Sequence, residues 1–570
     1  MPNVRTLMPA LAWMPAYRRE DLGGDLAAGV TVGVMLIPQG MAYALIAGLP
    51  PIYGLYAALV PLVVYALFGT SRQLAVGPVA MVSLLVAAGV SPLADGDPAR
   101  HVALALMLAF MVGAFQFTLG VARFGFLSDF LSHSVLTGFT GAAALIIGLS
   151  QLKHLLGVSL PKSSNIFFIL GAAWQQAGAI HPATLAIGLS GIALVYTLKR
   201  LKPRWPAGLL AVLFSTVAVW ALKLAPAGVR IVGEIPGGLP GFALPVFSAA
   251  TFEALLPTAL TITLIGFTES IAVAKVYAAK NRYQVDANQE LVGLGLANLV
   301  GSLFMAYPTT GGFSRTAVNA QAGARTNLAA LISAGVIGLT LLFLTPLFYY
   351  MPQAILAAIV MVAVFGLIDV KEARFLWRSD RRDFVLMAIT FAATLWLGIE
   401  EGILVGVVSS LAMVLQQSSK PHVAVMGRIP NTDVFRNVLR HPNAIVHRGV
   451  LIFRMDASLY FLNAGYLRER VNALVAADQA LHTLILDAYP VNKIDASGLH
   501  VLREVLESLR HRKVRLVMSG VKGPVMDKLK ASGLAEEIGA ENFFMELPEA
   551  VGTICPETQP AAQALSQFVN

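Results

Sequence analysis

Two charged side chains, Glu269 and Arg315, fall deep inside apolar stretches of this 570-residue chain. Charge at bilayer depth is expensive and marks either a transport pathway or a mutually neutralised pair. As a structural pair the two would do no chemistry. Otherwise, Arg315 supplies positive potential for an anion, and Glu269 couples a proton or a cation to it. Gln39 follows Pro38 in an apolar helix pattern, where a polar side chain needs a protein partner or a water-filled cavity. Tyr43, one turn later, either closes a small site or simply packs. Ser314, beside Arg315, adds a hydroxyl donor. The ten His residues show no metal spacing, and there is no P-loop or nucleotide fingerprint. The single cysteine, Cys555, excludes an intrachain disulfide. No enzymatic centre, metal or cofactor is expected, only a coupling ion.

The elements that position these residues follow from composition. With 56% hydrophobic and 13% charged residues, the chain reads as a membrane protein rather than a soluble domain. Apolar runs of spanning length lie near 26–47, 51–69, 101–122, 132–152, 183–200, 206–222, 252–275, 287–305, 327–345, 351–368, 382–399 and 401–417. Two further runs, Val79–Val90 and Phe313–Ala324, are too short to cross alone and follow Gly-Pro or Gly-Gly. Counting them gives fourteen crossings. The first residues lack a cleavable-signal pattern, so segment 1–20 is expected to remain, on the cytoplasmic side.

Charge distribution supports that count. With the N-terminus inside, the inner segments carry eighteen Lys and Arg, among them Arg5, Lys202, Arg204, Arg325 and Arg378. The outer ones carry five: Arg100, Lys153, Lys162, Lys223 and Arg230. Dropping either short run would invert every later loop and destroy the asymmetry. The formal charge of +9 therefore points to membrane topology rather than to nucleic acid. "KEARFLWRSDRRD", Lys371 to Asp383, reads as a solvated inner loop, with contact to anionic lipid as the lesser alternative. "EIPGGLPGF", Glu234 to Phe242, reads as an outer loop.

A short helix that starts within the membrane leaves backbone N–H groups and a positive dipole end unpaired, which is tolerable only where they line a cavity. The backbone N–H groups of Val79, Ala80, Phe313 and Ser314 are the donors such a cavity would offer an anion. The short runs occupy the third position of two groups of seven crossings, and an odd number per group forces the second to be inverted. Transporters with such repeats hold substrate near the midplane between interrupted helices.

"PIYGLYAALVPLVVYALFGTSR", Pro51 to Arg72, resembles the signature of the sulfate permease (SulP) family. "IPQGMAYA", "AVGPVA", "ESIAVAKVYA" and "GGFSRTAVN" are similar to family motifs in the same order. The resemblance, from about residue 20 to about 550, implies a polytopic α-helical membrane protein. Its fourteen transmembrane segments would form a 7+7 inverted repeat divided into core and gate, and homodimers would be common. By motif position, substrate binding carries over to Gln39, Tyr43, Val79, Ala80, Gly312, Phe313, Ser314 and Arg315. The resemblance also makes Glu269 the coupling-ion residue, used for sodium by some members. Val273, one turn later, lacks a hydroxyl for a sodium shell, which favours a proton.

From about Ser418 the long apolar runs stop, and strand–loop–helix patterns around "GVLIFRMDASLYF" and "HTLILDAYPVNKIDASG" read as an α/β unit. This unit resembles the STAS domain. Ala496 follows Asp495 where the antagonists of that family carry the phosphorylated serine, and Ser497 comes one position later. Packing or docking of a cytoplasmic protein partner is expected there rather than a phosphoswitch. The expected organisation is an N-terminal segment 1–20, a transporter domain 21–417, a linker 418–430, a cytoplasmic STAS domain 431–555 and a tail 556–570. The expected function is secondary active transport in the inner (plasma) membrane, namely proton-coupled sulfate uptake by an elevator-like movement of the core. Bicarbonate or C4-dicarboxylate symport, possible with sodium, is the alternative, ahead of an anion channel or a signalling scaffold.

Overall fold

The computed structural model describes residues 8–126, 132–160, 166–201, 205 and 207–555. Expectations that rest on Arg5, Lys162, Lys202, Arg204 and the tail 556–570 fall outside the described residues. The chain divides into two compact units, 1–410 and 411–570.

The first unit is helical. Its elements begin with α1 (Leu22–Ile46), α2 (Pro51–Phe68), β1 (Val76–Gly77), α3 (Ala80–Ala94), α4 (Pro98–Val121), α5 (His133–Ser150) and α6 (Ile166–Gln175). They continue with α7 (Pro182–Leu201), α8 (Ala207–Ala221), α9 (Ala249–Lys280), α10 (Ala287–Leu303), β2 (Thr310–Gly311) and α11 (Phe313–Gln321). After these come α12 (Leu328–Leu339), α13 (Gln353–Phe365), α14 (Val370–Ser379), α15 (Arg381–Trp396) and α16 (Ile399–Ser419), the last of which runs across the division between the units. A helix lies within or across each of the fourteen stretches read as crossings. Among the described residues, eight helices are long and apolar enough to span a membrane.

Local sequence explains the boundaries. Pro51 and Pro98 open their helices at positions where the missing N–H costs nothing. Asp97 and Asp286 accept backbone N–H groups as N-caps of α4 and α10. Between helices, small residues permit close backbone approach: a Cβ on Gly54 would lie 2.0 Å from the Gly40 carbonyl oxygen, and one on Gly295 2.4 Å from the Phe117 nitrogen. Such contacts pull α1 against α2 and α4 against α10, in keeping with membrane packing that relies on close van der Waals contact.

Three expectations change. The stretch Lys371–Asp383 is not a loop but mostly helix α14, started by Asp369, whose carboxylate accepts the N–H groups of Lys371 and Glu372. The first short helix runs on to Ala94, past Val90, because Pro92 near its end removes one hydrogen bond without stopping it. The second ends at Gln321, short of Ala324. Helix α6, with ten residues, is too short for a crossing and adds a helix between the expected spans.

The second unit holds a six-stranded sheet in the order β4-β3-β5-β6-β7-β8. Its strands are β3 (Val423–Arg428), β4 (Phe435–Asn437), β5 (Val450–Met455), β6 (Thr483–Asp487), β7 (Arg515–Ser519) and β8 (Phe543–Phe544). β5 to β8 pair in parallel, while β3 pairs antiparallel with β4 and β5. β3 lies within the stretch 418–430 expected as linker, so that stretch contributes a strand to the sheet. Asp495 caps the helix Ala496–His511 by accepting the Gly498 N–H at 2.7 Å, and its other oxygen accepts the Phe461 N–H at 2.9 Å. Asp495 thus fixes two loops, and Ser497 is exposed beside it.

Candidate anion site

β1 and β2 pair antiparallel, with Val76 opposite Gly311 and Gly77 opposite Thr310. Helix α3 begins three residues beyond Gly77 and α11 two residues beyond Gly311, so the two helices leave one crossing point in opposite directions. Neither helix has a side-chain N-cap. Their first-turn N–H groups, at Ala80, Met81 and Val82 and at Phe313, Ser314 and Arg315, precede the first intrahelical donors, Ser83 and Thr316. Each uncapped end carries the equivalent of roughly half a positive charge. The sequence around both starts explains the geometry. Gly77 sits at φ +156°, which disfavours any side chain, and a Cβ on Gly312 would come within 2.9 Å of the Arg315 guanidinium.

A polar framework holds the crossing in place. Ser270 Oγ on α9 accepts the Gly311 N–H at 2.8 Å and lies 2.7 Å from Thr310 Oγ1, which donates to the Gly266 carbonyl at 2.6 Å. Thr316 Oγ1 accepts the Ala75 N–H at 3.1 Å, and Asn319 donates to the Gln73 carbonyl at 2.9 Å. Asn298 on α10 accepts the Thr309 N–H at 2.8 Å and donates to its carbonyl at 3.0 Å. Thr310 and Gly311 of β2 are thus tied to α9, and the residues flanking the short sheet, Ala75 and Thr309, to α11 and α10.

Arg315 is buried, at 2% exposure. Its guanidinium donates to the carbonyl oxygens of Pro78 and, at 3.4 Å, Ala75, so it bridges from α11 to the backbone that leads into α3. No ion pair joins it to Glu269 among the described residues, although the two are close enough for their charges to interact. Glu269 stands one residue before Ser270, partly exposed, and its Oε2 is covered without a hydrogen-bond partner. Gln39 and Tyr43 are both buried on α1, where the Gln39 amide donates to the Tyr43 hydroxyl at 2.8 Å and Gln39 Oε1 has no partner. Val79 is half-buried, Ala80 buried, and Phe313 and Ser314 exposed. Gly312 differs from the other donors, since its N–H is already given to the Ala75 carbonyl at 3.1 Å.

Several polar residues that matter here escaped the sequence reading. Glu290, fully buried on α10, accepts the Tyr65 hydroxyl, the Thr70 N–H and the Thr70 hydroxyl, each at 2.6 Å, and the Ser71 N–H at 3.1 Å. It fixes the loop that leads into β1. Asp25, equally buried on α1, accepts the N–H groups of Arg325 and Thr326 at 2.7 and 3.0 Å and so fixes the loop after α11. Ser83 and Tyr307 meet at 3.1 Å, linking α3 to the segment before β2. A carboxylate in the first turn of an apolar span was the available signal for Asp25 and Glu290. It reads equally well as an ordinary solvated helix start.

Residues 22–390 match the model of the Sulfate permease family, and residues 441–550 match that of the STAS domain. Sulfate transporter 4.1, chloroplastic, of Arabidopsis thaliana is 44% identical over 568 residues, covering 96% of this chain and 82% of its own length. High affinity sulfate transporter 2 of Stylosanthes hamata is 37% identical, covering 98% and 87%. Among solved structures, the murine Solute Carrier 26 family member A9 anion transporter in the inward-facing state superposes with a TM-score of 0.90 at 27% identity, covering 97% of this chain and 95% of that one. The transmembrane domain of the cyanobacterium bicarbonate transporter BicA gives 0.61 at 27% identity, over 69% of this chain and 98% of its own.

Proposed function

The chain belongs to the sulfate permease family, a family of anion transporters rather than enzymes, and we propose that it carries sulfate or a similar oxyanion in symport with a proton. One observation carries this reading: two uncapped helix starts leave one strand crossing, beside a buried arginine and a carboxyl oxygen with no partner. A doubly charged tetrahedral anion suits donors that converge from two sides. Relatives named as sulfate transporters, 35–44% identical over nearly the whole chain, support the substrate class.

Glu269 is the coupling residue of this reading, and its free Oε2 is where the proton resides. Val273, on the same face one turn on, offers no hydroxyl to a sodium ion. The substrate anion and the ionised Glu269 carboxylate compete for the positive field of Arg315 and the helix ends, so protonating Glu269 removes the competitor, strengthens anion binding and makes the two move together. Movement of the part that carries the two short helices then exposes the site to either side in turn. The 18-to-5 charge asymmetry of the loops supports a cytoplasmic N-terminus and STAS domain. A homodimer in the inner membrane completes the reading, with the STAS domain as the docking platform for a cytoplasmic partner.

Bicarbonate is the second reading, favoured by the likeness to BicA. Proteoliposomes loaded at one pH and diluted into another decide between them. Labelled sulfate accumulates when the outside is acidic, and excess unlabelled sulfate competes more strongly than bicarbonate, succinate or fumarate. Glu269→Gln, which mimics the protonated carboxyl, keeps sulfate binding and exchange but no longer accumulates sulfate against a gradient. Uphill uptake that survives in that variant with unchanged pH dependence would rule out Glu269 as the coupling residue, and bicarbonate as the stronger competitor would overturn the substrate.

A further inference from the structure

Helix α14, Val370–Ser379, lies between two apolar helices, starting five residues after α13 ends at Phe365 and ending two residues before α15 starts at Arg381. Its inward side is fixed: Leu376 is buried, and Glu372 reaches His133 at the start of α5 at 3.4 Å. A second side carries Lys371, Arg374, Phe375, Arg378 and Ser379, at helical spacings of three and four, which together line a cavity of about 420 Å³. A third side leaves Val370 and Trp377 60% and 54% exposed. Arg381 stacks over the Trp377 ring at 5.7 Å, and Arg382 follows it in sequence.

The charge in this segment is not neutralised from within. Lys371, Arg374 and Arg378 are exposed and make no ion pair among the described residues. Of the nearby carboxylates, Glu372 faces His133, Asp369 is occupied in capping α14, and Asp380 caps α15 through the Arg382 N–H at 2.8 Å. Asp383 lies beyond, in the first turn of α15. A helix with cations on one side and exposed Trp and aliphatic groups on another, tethered at both ends to spans, has the composition of one lying in the membrane interface. Clustered Lys and Arg beside a span attract anionic lipid, each charge strengthening binding about fivefold.

We propose that the cavity lined by Lys371, Arg374 and Arg378 holds the phosphate headgroup of an anionic phospholipid, with Phe375, on the same side, against its acyl region. The site is separate from the transported anion's, because it is built from α14 alone and none of its residues takes part in the β1–β2 crossing. It is open toward its surroundings rather than enclosed, which suits a lipid that exchanges with the leaflet. Bound lipid would pin α14 to the membrane surface and with it the inner ends of α13 and α15.

The test uses purified full-length protein in a neutral detergent, titrated with short-chain phosphatidylglycerol and followed by native mass spectrometry and thermal melting. Wild-type protein retains the lipid and melts higher with it, whereas phosphatidylcholine and inorganic phosphate do neither. Lys371→Gln/Arg374→Gln/Arg378→Gln binds the lipid roughly a hundredfold more weakly, as three charges at that strength require, while Arg374→Lys/Arg378→Lys stays near wild type. Should the triple variant not fold, added salt applied to the wild type gives the same answer by progressively releasing the lipid. Equal retention by wild type and triple variant, salt-independent retention, or stabilisation by inorganic phosphate equal to that by the lipid would each overturn the proposal.

Discussion

Arg315 shows how one side chain serves both architecture and electrostatics. Its guanidinium holds the backbone before α3 and places a full positive charge beside that helix start. In Arg315→Ala the Pro78 carbonyl loses its partner, a cost of about 1–3 kcal/mol for a buried acceptor, whereas the Ala75 carbonyl keeps the Gly312 N–H. The melting temperature should fall, and sulfate affinity with it. Arg315→Lys retains the charge but not the fork that reaches two carbonyls. It is expected to recover much of the affinity and little of the stability, as read by paired melting and binding curves. Equal affinity in the Lys and Ala variants would show that charge at this position is irrelevant to binding.

At the scale of elements, the site depends on loops held by buried carboxylates. Glu290 accepts four hydrogen bonds, and the amide of Glu290→Gln can accept on one oxygen only while presenting donors to hydroxyls and N–H groups that also donate. We expect a loss of about 2–4 kcal/mol in stability and weaker sulfate binding through displacement of β1, checked by melting and by binding at a temperature where the variant stays folded. The sequence displayed the two interrupted helices plainly, because Gly77-Pro78 and Gly311-Gly312 break long apolar runs. It showed Glu269, Arg315 and Gln39 because polar groups stand out in apolar surroundings. The strand pairing of Val76 with Gly311 was not legible, since two residues carry no alternation and their partners lie more than two hundred positions away. Nor was the framework of Ser270, Thr310, Thr316 and Asn298, because short polar side chains usually satisfy themselves on nearby backbone. Strand β3 reads as linker for a related reason: six residues beside a long apolar helix give a weak period-2 signal.

At the scale of the whole molecule, every residue of the candidate site lies before position 330, in the first compact unit. Removing residues from Asn431 onward should therefore leave sulfate binding within a few-fold of wild type in purified, monodisperse protein. Loss of binding in a truncation that melts cooperatively would place part of the site in the second unit. The central claim, that backbone donors at the two helix starts hold the anion, has a direct test at Phe313. Proline is compatible with the first helical position, and Gly312 before it already has the extended backbone, φ −96° and ψ 125°, that a following proline requires. Phe313→Pro thus deletes one N–H donor and keeps the helix, while Phe313→Ala removes the same side chain and keeps the donor. Sulfate affinity measured by equilibrium binding on the purified full-length variants should fall about ten- to hundredfold in Phe313→Pro relative to Phe313→Ala, the worth of one hydrogen bond to a charged ligand. Equal affinities in two variants of equal stability would contradict the account.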